Sequence, residues 1–194
     1  MKLRDSGMPE EKYWESLLDV PLVLDALGIT SHWRDVAEMG CGFGTFSISI
    51  AERISGDLFA FDIDPLMVAR TRERATGAGV SNVVVRERDV MEDGFGLPDG
   101  SVDAVLLFNI LHCEFAERLL LHATRVVRTG GQVLVIHWQH DPRTPRGPDL
   151  SIRPTPEQVL EWAMATGELR AAEGAIELPP WHYGLRFIRL DESG

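Results

Sequence analysis

A chain of 194 residues, 44% hydrophobic and 25% charged, has the length and composition of one ordinary globular domain with a sizeable core. The formal net charge of −11 argues against a nucleic-acid substrate, because such a surface repels the phosphate backbone. No apolar run approaches the roughly 20 residues of a membrane helix. The two cysteines, Cys41 and Cys113, suggest neither a disulfide framework nor a zinc ribbon. The stretch Met1-Lys2-Leu3-Arg4-Asp5 has no apolar h-region, so the expected location is cytoplasmic.

Residues 10–27 read as helical, with Pro21 expected to break the stretch in two and Gly28 to stop it. A short strand over Asp35–Met39 ends in a glycine loop. A helix follows over 45–54, then the apolar strand Leu58-Phe59-Ala60-Phe61. Asp64 as N-cap and Pro65 as first helical residue start a helix that runs to about Ala75 and stops in Gly77 and Gly79. Val83-Val84-Val85 begins a third strand. Leu97-Pro98-Asp99-Gly100 is a turn, and Val102–Phe108 is a near-continuous apolar strand expected to be buried on both faces. Glu114–Val127 is a helix, Gly130-Gly131 a turn, and Val133–His137 a strand. A loop rich in Pro and Arg spans 141–154. Thr155 and Gln158 form a capping box for a helix to about Thr166. Two strands, near 170–178 and 184–190, follow with Pro179-Pro180-Trp181-His182 between them. The basic clusters Arg70, Arg72, Arg74 and Arg143, Arg146 read as a solvated helix face and a solvated loop.

Alternating strands and helices predict an α/β fold: a doubly wound, mostly parallel sheet with helices on both faces and an antiparallel C-terminal hairpin. In such sheets a ligand lies at the carboxyl ends of the strands. Several features fall on those ends. Gly40, Gly42 and Gly44 follow the first strand, where a loop without side chains lets backbone N–H groups approach a ligand. Asp62 follows the second, about 20 residues on, where an acid commonly accepts from ribose hydroxyls. Asp64 already has a structural task as N-cap, so the ribose goes to Asp62. Asp89 follows the third strand. The glycine spacing departs from the dinucleotide pattern G-x-G-x-x-G, because Thr45 stands at the third glycine's place.

Val36-Ala37-Glu38-Met39-Gly40-Cys41-Gly42-Phe43-Gly44 resembles the first motif of class I S-adenosylmethionine-dependent methyltransferases. Phe61-Asp62-Ile63-Asp64 resembles the second motif and Arg88-Asp89-Val90 the third. Leu97 to Asp103 and Phe108-Asn109-Ile110-Leu111-His112 resemble the fourth. Arg128-Thr129-Gly130-Gly131 is similar to the turn before the fifth strand, with Thr129 where Pro is usual. The style is that of UbiE-like and type 11 methyltransferase-domain proteins. The resemblance implies a Rossmann-like seven-stranded sheet, one domain over 1–194 with 1–30 as a helical cap, and S-adenosylmethionine as cofactor. It implies that Glu38 and the backbone of Gly40, Cys41 and Gly42 contact the methionine part. Asp62 would take the ribose and Ile63 would pack on adenine. Asp89 and the Val90 amide would read the adenine edge, and Asn109 would face the methionine moiety and the acceptor.

The implied reaction is methyl transfer to a small-molecule acceptor that the residues do not identify. Positioning dominates such a displacement, and a base helps only where the acceptor must lose a proton. His112 and His137 are the candidate catalytic residues, because they lie at the ends of the fourth and fifth strands. The motif Asn109-Ile110-Leu111-His112 lacks the N/D-P-P-Y/F form used on nucleobase amines and on glutamine. No spacing points to a metal. Ser6-Gly7-Met8-Pro9 with Tyr13-Trp14 is a candidate lid, or else a tail before a packing helix. Trp14, Trp138, Trp181 and Tyr183 could line a pocket or fill the core. Two other classes stay open: an NAD-binding oxidoreductase, and a non-catalytic module that binds S-adenosylmethionine. The sequence carries no signal of oligomeric state.

Overall fold

The computed structural model describes residues 9–191. It begins with α1 (Glu11–Glu15) and α2 (Val20–Ala26). The expected break between them is present, but Pro21 does not cause it. Asp19 caps α2 by accepting from the Leu22 amide at 3.1 Å, and Pro21 sits in the first turn, where its missing N–H is not needed.

The chain then alternates: β1 (Val36–Met39), α3 (Ser47–Ala51), β2 (Leu58–Asp62), α4 (Pro65–Ala78), β3 (Val83–Glu87), α5 (Val90–Asp93), β4 (Val102–Phe108), α6 (Ala116–Val126) and β5 (Val127–Trp138). A 3-10 turn at Leu150–Ile152, α7 (Pro156–Ala165), β6 (Leu169–Ala171), β7 (Ile176–Leu178) and β8 (His182–Arg189) complete it. The predicted starts of α4 and α7 are as expected: Leu66 N donates to Asp64 Oδ1 at 2.8 Å, and Thr155 and Gln158 exchange both capping-box bonds. Gly77 does not stop α4. The helix runs through it to Gly79, whose left-handed backbone forms the C-cap.

The sheet order is β3-β2-β1-β4-β5-β8-β6, with β7 also on β8. Strands β1 to β5 pair in parallel, and β8 is antiparallel to β5, β6 and β7. The sheet therefore has eight strands, not seven. The outer strand expected over 170–178 is interrupted. It advances five residues, from Ala171 to Ile176, while β8 retreats three, from Phe187 to Gly184, so two residues bulge out. The predicted turn at Gly130-Gly131 is likewise a bulge inside β5. Val127 pairs with Val102 and Gln132 with Ala104, and the residues between loop out.

Alternation along the strands explains the two helical layers. Val105, Leu107, Val133, Val135, Leu185 and Phe187 point to one core, which takes α6 and α7 through Leu119, Leu120, Val159 and Ala163. Ala104, Leu106, Phe108, Leu134 and Ile136 point to the other, with Val23 and Leu24 of α2 and Ile50 and Ala51 of α3. Val68 of α4 joins Ala60 and Val85 in a smaller cluster. The cofactor cleft expected of a doubly wound sheet lies where the order reverses, between β1 and β4. Among the described residues no helix is long and apolar enough to cross a membrane.

Leu106 lies in the middle of β4 and is buried from solvent on all sides. Leu106→Ala should lower unfolding free energy by about 2–5 kcal/mol, seen as a drop in the urea midpoint with unchanged slope. A loss well under 1 kcal/mol would contradict this packing.

Candidate active site

The loop after β1 is bound down at both ends. Gly40 N and Cys41 N donate to Phe61 O at 2.7 and 3.0 Å, so the loop is pinned to the end of β2. Gly42 N donates to Asp62 Oδ2 at 2.9 Å, and Thr71 Oγ1 donates to Gly42 O at 2.9 Å. Gly40 has φ +76°, and a Cβ there would lie 3.0 Å from Ile110 Cγ2. A side chain at this position would be strained and would crowd the loop after β4.

A cavity of about 330 Å³ opens above this loop. Its walls include Glu38, Gly40, Cys41, Gly42, Asp62 and Ile63, and on the far side Asn109, Ile110 and His112. The sequence-derived candidates from three strand ends thus meet in one place. Asp89 and Val90 do not line it. Asp89 caps α5 by accepting from Glu92 N at 3.2 Å, and Val90 is buried in the core. Asp62 has a structural task that the sequence did not reveal: besides Gly42 N it accepts from Asp64 N at 3.0 Å.

Glu38 is a carboxyl inside the protein, 2% exposed. Ser47 Oγ donates to Glu38 Oε2 at 2.5 Å. Burial pushes its pKa up to about 7; the Ser47 bond opposes this, and the nearby Asp62 charge adds to it. Asp62 is also raised, first by burial, against the amide bonds from Asp64 and Gly42. Burial, with the charge of Glu38 adding to it, keeps Cys41 a thiol. Asn109 has φ +57°, and both atoms of its side-chain amide are buried without a partner. Buried polar groups are normally satisfied, so this amide, which lines the cavity, is available to a ligand there.

These features fit the implied cofactor. Two acidic groups would suit a cation and hydroxyls, bare glycine backbone leaves room, and a free amide is available.

The histidines cluster behind the cavity. The rings of His112 and His137 are 5.5 Å apart, edge to face, and Trp138 stacks on His182 at 4.2 Å. His112 lines the cavity; His137 is wholly buried and does not. His112 Nδ1, both ring nitrogens of His137 and His182 Nε2 have no hydrogen-bond partner. Burial lowers the pKa of all three, and the charge of Arg153 lowers each further. Among the described residues no group of His, Cys, Asp and Glu is placed to hold a metal ion.

Of the candidate lid, Ser6, Gly7 and Met8 lie outside the described residues. Pro9 and Trp14 line the cavity, and Trp14 meets Trp138 at 6.1 Å. Charge holds α1 in place: Arg70 gives two bonds to Glu11, at 2.9 and 3.0 Å, and Arg74 reaches both Glu11 and Glu15. The Arg70 and Arg74 side chains, read as a solvated face, are thus the clamp for α1, while Arg72 donates to Val85 O. Sequence reasoning also missed Ser47, Thr71 and Arg153. A buried acid at the end of a strand needs a donor, and a Thr on the inner face of α4 needs an acceptor; those were the available signals.

Each of the three imidazoles titrates below the ordinary value when folded. Its contribution to stability is complete above about 6.5 and is lost as pH falls, down to about 3 for His182. Glu38, raised from 4.5 to about 7, acts oppositely: its contribution is complete below 4.5 and is lost as pH rises through 7. The histidines outnumber it. The urea midpoint should fall between pH 6.5 and 5, and His182→Phe, which keeps a ring on Trp138, should flatten that fall. An unchanged slope in the variant would contradict the assignment.

Residues 36–131 match the family model described as the methyltransferase domain. Ajmaline N-methyltransferase of Rauvolfia serpentina is 25% identical over 129 residues, which is 66% of this chain and 43% of that protein. Phosphoethanolamine N-methyltransferase 3 of Arabidopsis thaliana is 28% identical over 120 residues, 61% of this chain and 24% of that one. The chain thus spans less than half the length of the curated relatives it matches. A SAM-dependent methyltransferase from Aquifex aeolicus has the same fold, with a TM-score of 0.83, 21% identity, and 98% and 100% of the two chains covered. Residues 36–131 thus match the methyltransferase domain family, and the sheet has the fold of S-adenosylmethionine-dependent methyltransferases of known structure.

Proposed function

We propose that this chain transfers the methyl group of S-adenosylmethionine to a small-molecule acceptor. The observation that carries this is the meeting of Glu38, the Gly40–Gly42 loop, Asp62 and the unpartnered Asn109 amide around one cavity. In this reading Glu38 and the loop backbone hold the methionine part, and Asp62 holds the ribose. Ile63 packs on adenine, and Asn109 orients the methionine end. Asp89 and Val90 keep the adenine edge on motif position alone. The cofactor supplies an electrophilic methyl carried on a sulfonium.

The chain's own contribution is to orient the reactants and exclude water. Pro9, Trp14 and Trp138 add apolar groups to the cavity wall. His112 is held neutral by burial and by the Arg153 charge, so its ring is able to take a proton from an acceptor that must lose one. His137, buried beside it, is a positioning residue. The segment over 1–30 contributes α1 as a cap, while α2 belongs to the core.

Glu38 titrates near neutrality, and its ionised form is the one that pairs with the cofactor's cationic groups. Affinity for S-adenosylmethionine should therefore tighten as pH rises through 7. Glu38→Gln should weaken binding by about tenfold or more and flatten that dependence, read by calorimetry. NAD should not bind. Binding of NAD in preference, or a pH-independent affinity, would refute the reading. His112→Ala should lower kcat about a hundredfold with cofactor affinity retained. Full turnover in that variant would remove His112 from the mechanism. Tight cofactor binding with no product across an acceptor screen would favour a non-catalytic module.

A further inference from the structure

A second cavity, of about 590 Å³, opens beside the first. Among the described residues His112 is the one that lines both. We propose that this second cavity holds the methyl acceptor, and that the acceptor is a planar, apolar molecule bearing a weakly acidic hydroxyl. This rests on the transferase reading above.

The backbone gives the first argument. Among the described residues only Asn109, at φ +57°, and Phe115, at φ +61°, place a non-glycine residue in the left-handed region. They bracket His112 in the link between β4 and α6. For a bulky residue such as Phe this conformation is an outlier, and sparsely populated conformations persist where structure serves a site. Phe115 gains no core packing in return: it is 69% exposed at the cavity, where Ile152 is 38% exposed. The floor beneath them is apolar, made by Met91, Leu111 and Trp162. Glu92, Glu114, Arg118, Ser151, Arg153 and Gln158 also line the cavity, so an apolar floor is joined to polar groups able to orient a small molecule.

Charge gives the second argument. Arg153 lines this cavity and is 6% exposed. Its bonds go to the carbonyls of Gln139, Asp141, Arg146 and Pro148 and to the Thr144 hydroxyl, all neutral oxygens. The charges of Asp149 and Asp141 reach Arg153, but neither carboxylate bonds to it, and the carboxylates nearby are paired with other groups or exposed. Glu92 faces Arg118 at 3.7 Å with both half exposed, Asp141 is held by Arg143, and Glu114 and Asp149 are exposed. The buried charge at the cavity is therefore positive. It repels an ammonium group and favours a hydroxyl that carries partial negative charge. The neutral His112 ring stands where that hydroxyl would meet the cofactor cavity, and a ring nitrogen is able to accept its hydrogen bond.

The test uses the full chain saturated with S-adenosylhomocysteine, and two probes, 2-naphthol and the cation of 2-naphthylmethylamine. Calorimetry and tryptophan fluorescence read the binding. Naphthol should bind about tenfold or more tighter than the ammonium probe. Ile152→Trp, which fills the mouth from an exposed position, should weaken naphthol by about tenfold with S-adenosylhomocysteine affinity unchanged. Phe115→Gly should weaken naphthol without lowering Tm, because glycine accepts the positive φ that a structural role alone would not need. Absence of naphthol binding, equal affinity for the two probes, or indifference to Ile152→Trp would overturn the proposal. If S-adenosylhomocysteine fails to bind while naphthol binds, the transferase reading falls and the chemistry of the cavity stands.

Discussion

Glu38 imposes the constraint around which the site is arranged. A carboxyl taken from water at the end of β1 must be neutral, or must meet compensating groups. The protein supplies one hydroxyl, from Ser47, and the glycine loop lines the same cavity. The position lines the first cavity, and it sits where the strand order reverses. The glycine loop cannot move away, because Phe61, Asp62 and Thr71 bind it from β2 and α4. Asp62 thus has two tasks. It fixes the shape of the loop and presents its carboxylate to the same cavity.

The second organising group is Arg153. It gathers the carbonyls of the 139–148 loop around one guanidinium and so holds the wall of both cavities. Burial lowers the pKa of three imidazoles, and the same cation lowers each further. Loop structure and the protonation state of His112 are consequently linked. On the opposite side, the short helix α1 has no buried residue of its own and depends on Arg70 and Arg74 for its place. Pairs of this kind, partly exposed, are individually weak, so the cap is the least anchored part of the site.

Much of this was legible in the sequence. Continuous apolar runs identified the central strands, because a parallel sheet is buried on both faces. Asp64-Pro65 and Thr155-Pro156 marked helix starts because their capping chemistry is local. The glycine loop, Glu38 and Asp62 were legible because they follow strand ends in fixed order. What depended on distant partners was not. Nothing near Asp62 in sequence shows that Gly42 donates to it, and nothing near Arg153 shows its carbonyl cage. His137 looked like a site residue because it ends a strand, yet β5 continues to Trp138 and packs the ring inward. The interruption between β6 and β7 was hidden because both pieces pair with the same strand.

The most direct test is the proton balance of cofactor binding. Calorimetric titration of S-adenosylmethionine at pH 7, in phosphate and in Tris, separates the binding heat from the heat of buffer ionisation. With Glu38 titrating at about 7, a fraction of a proton should be released on binding by the wild type. Glu38→Gln should release none. Binding without proton release in the wild type, or release that survives in Glu38→Gln, would contradict a buried, protonated carboxyl as the group that receives the cofactor.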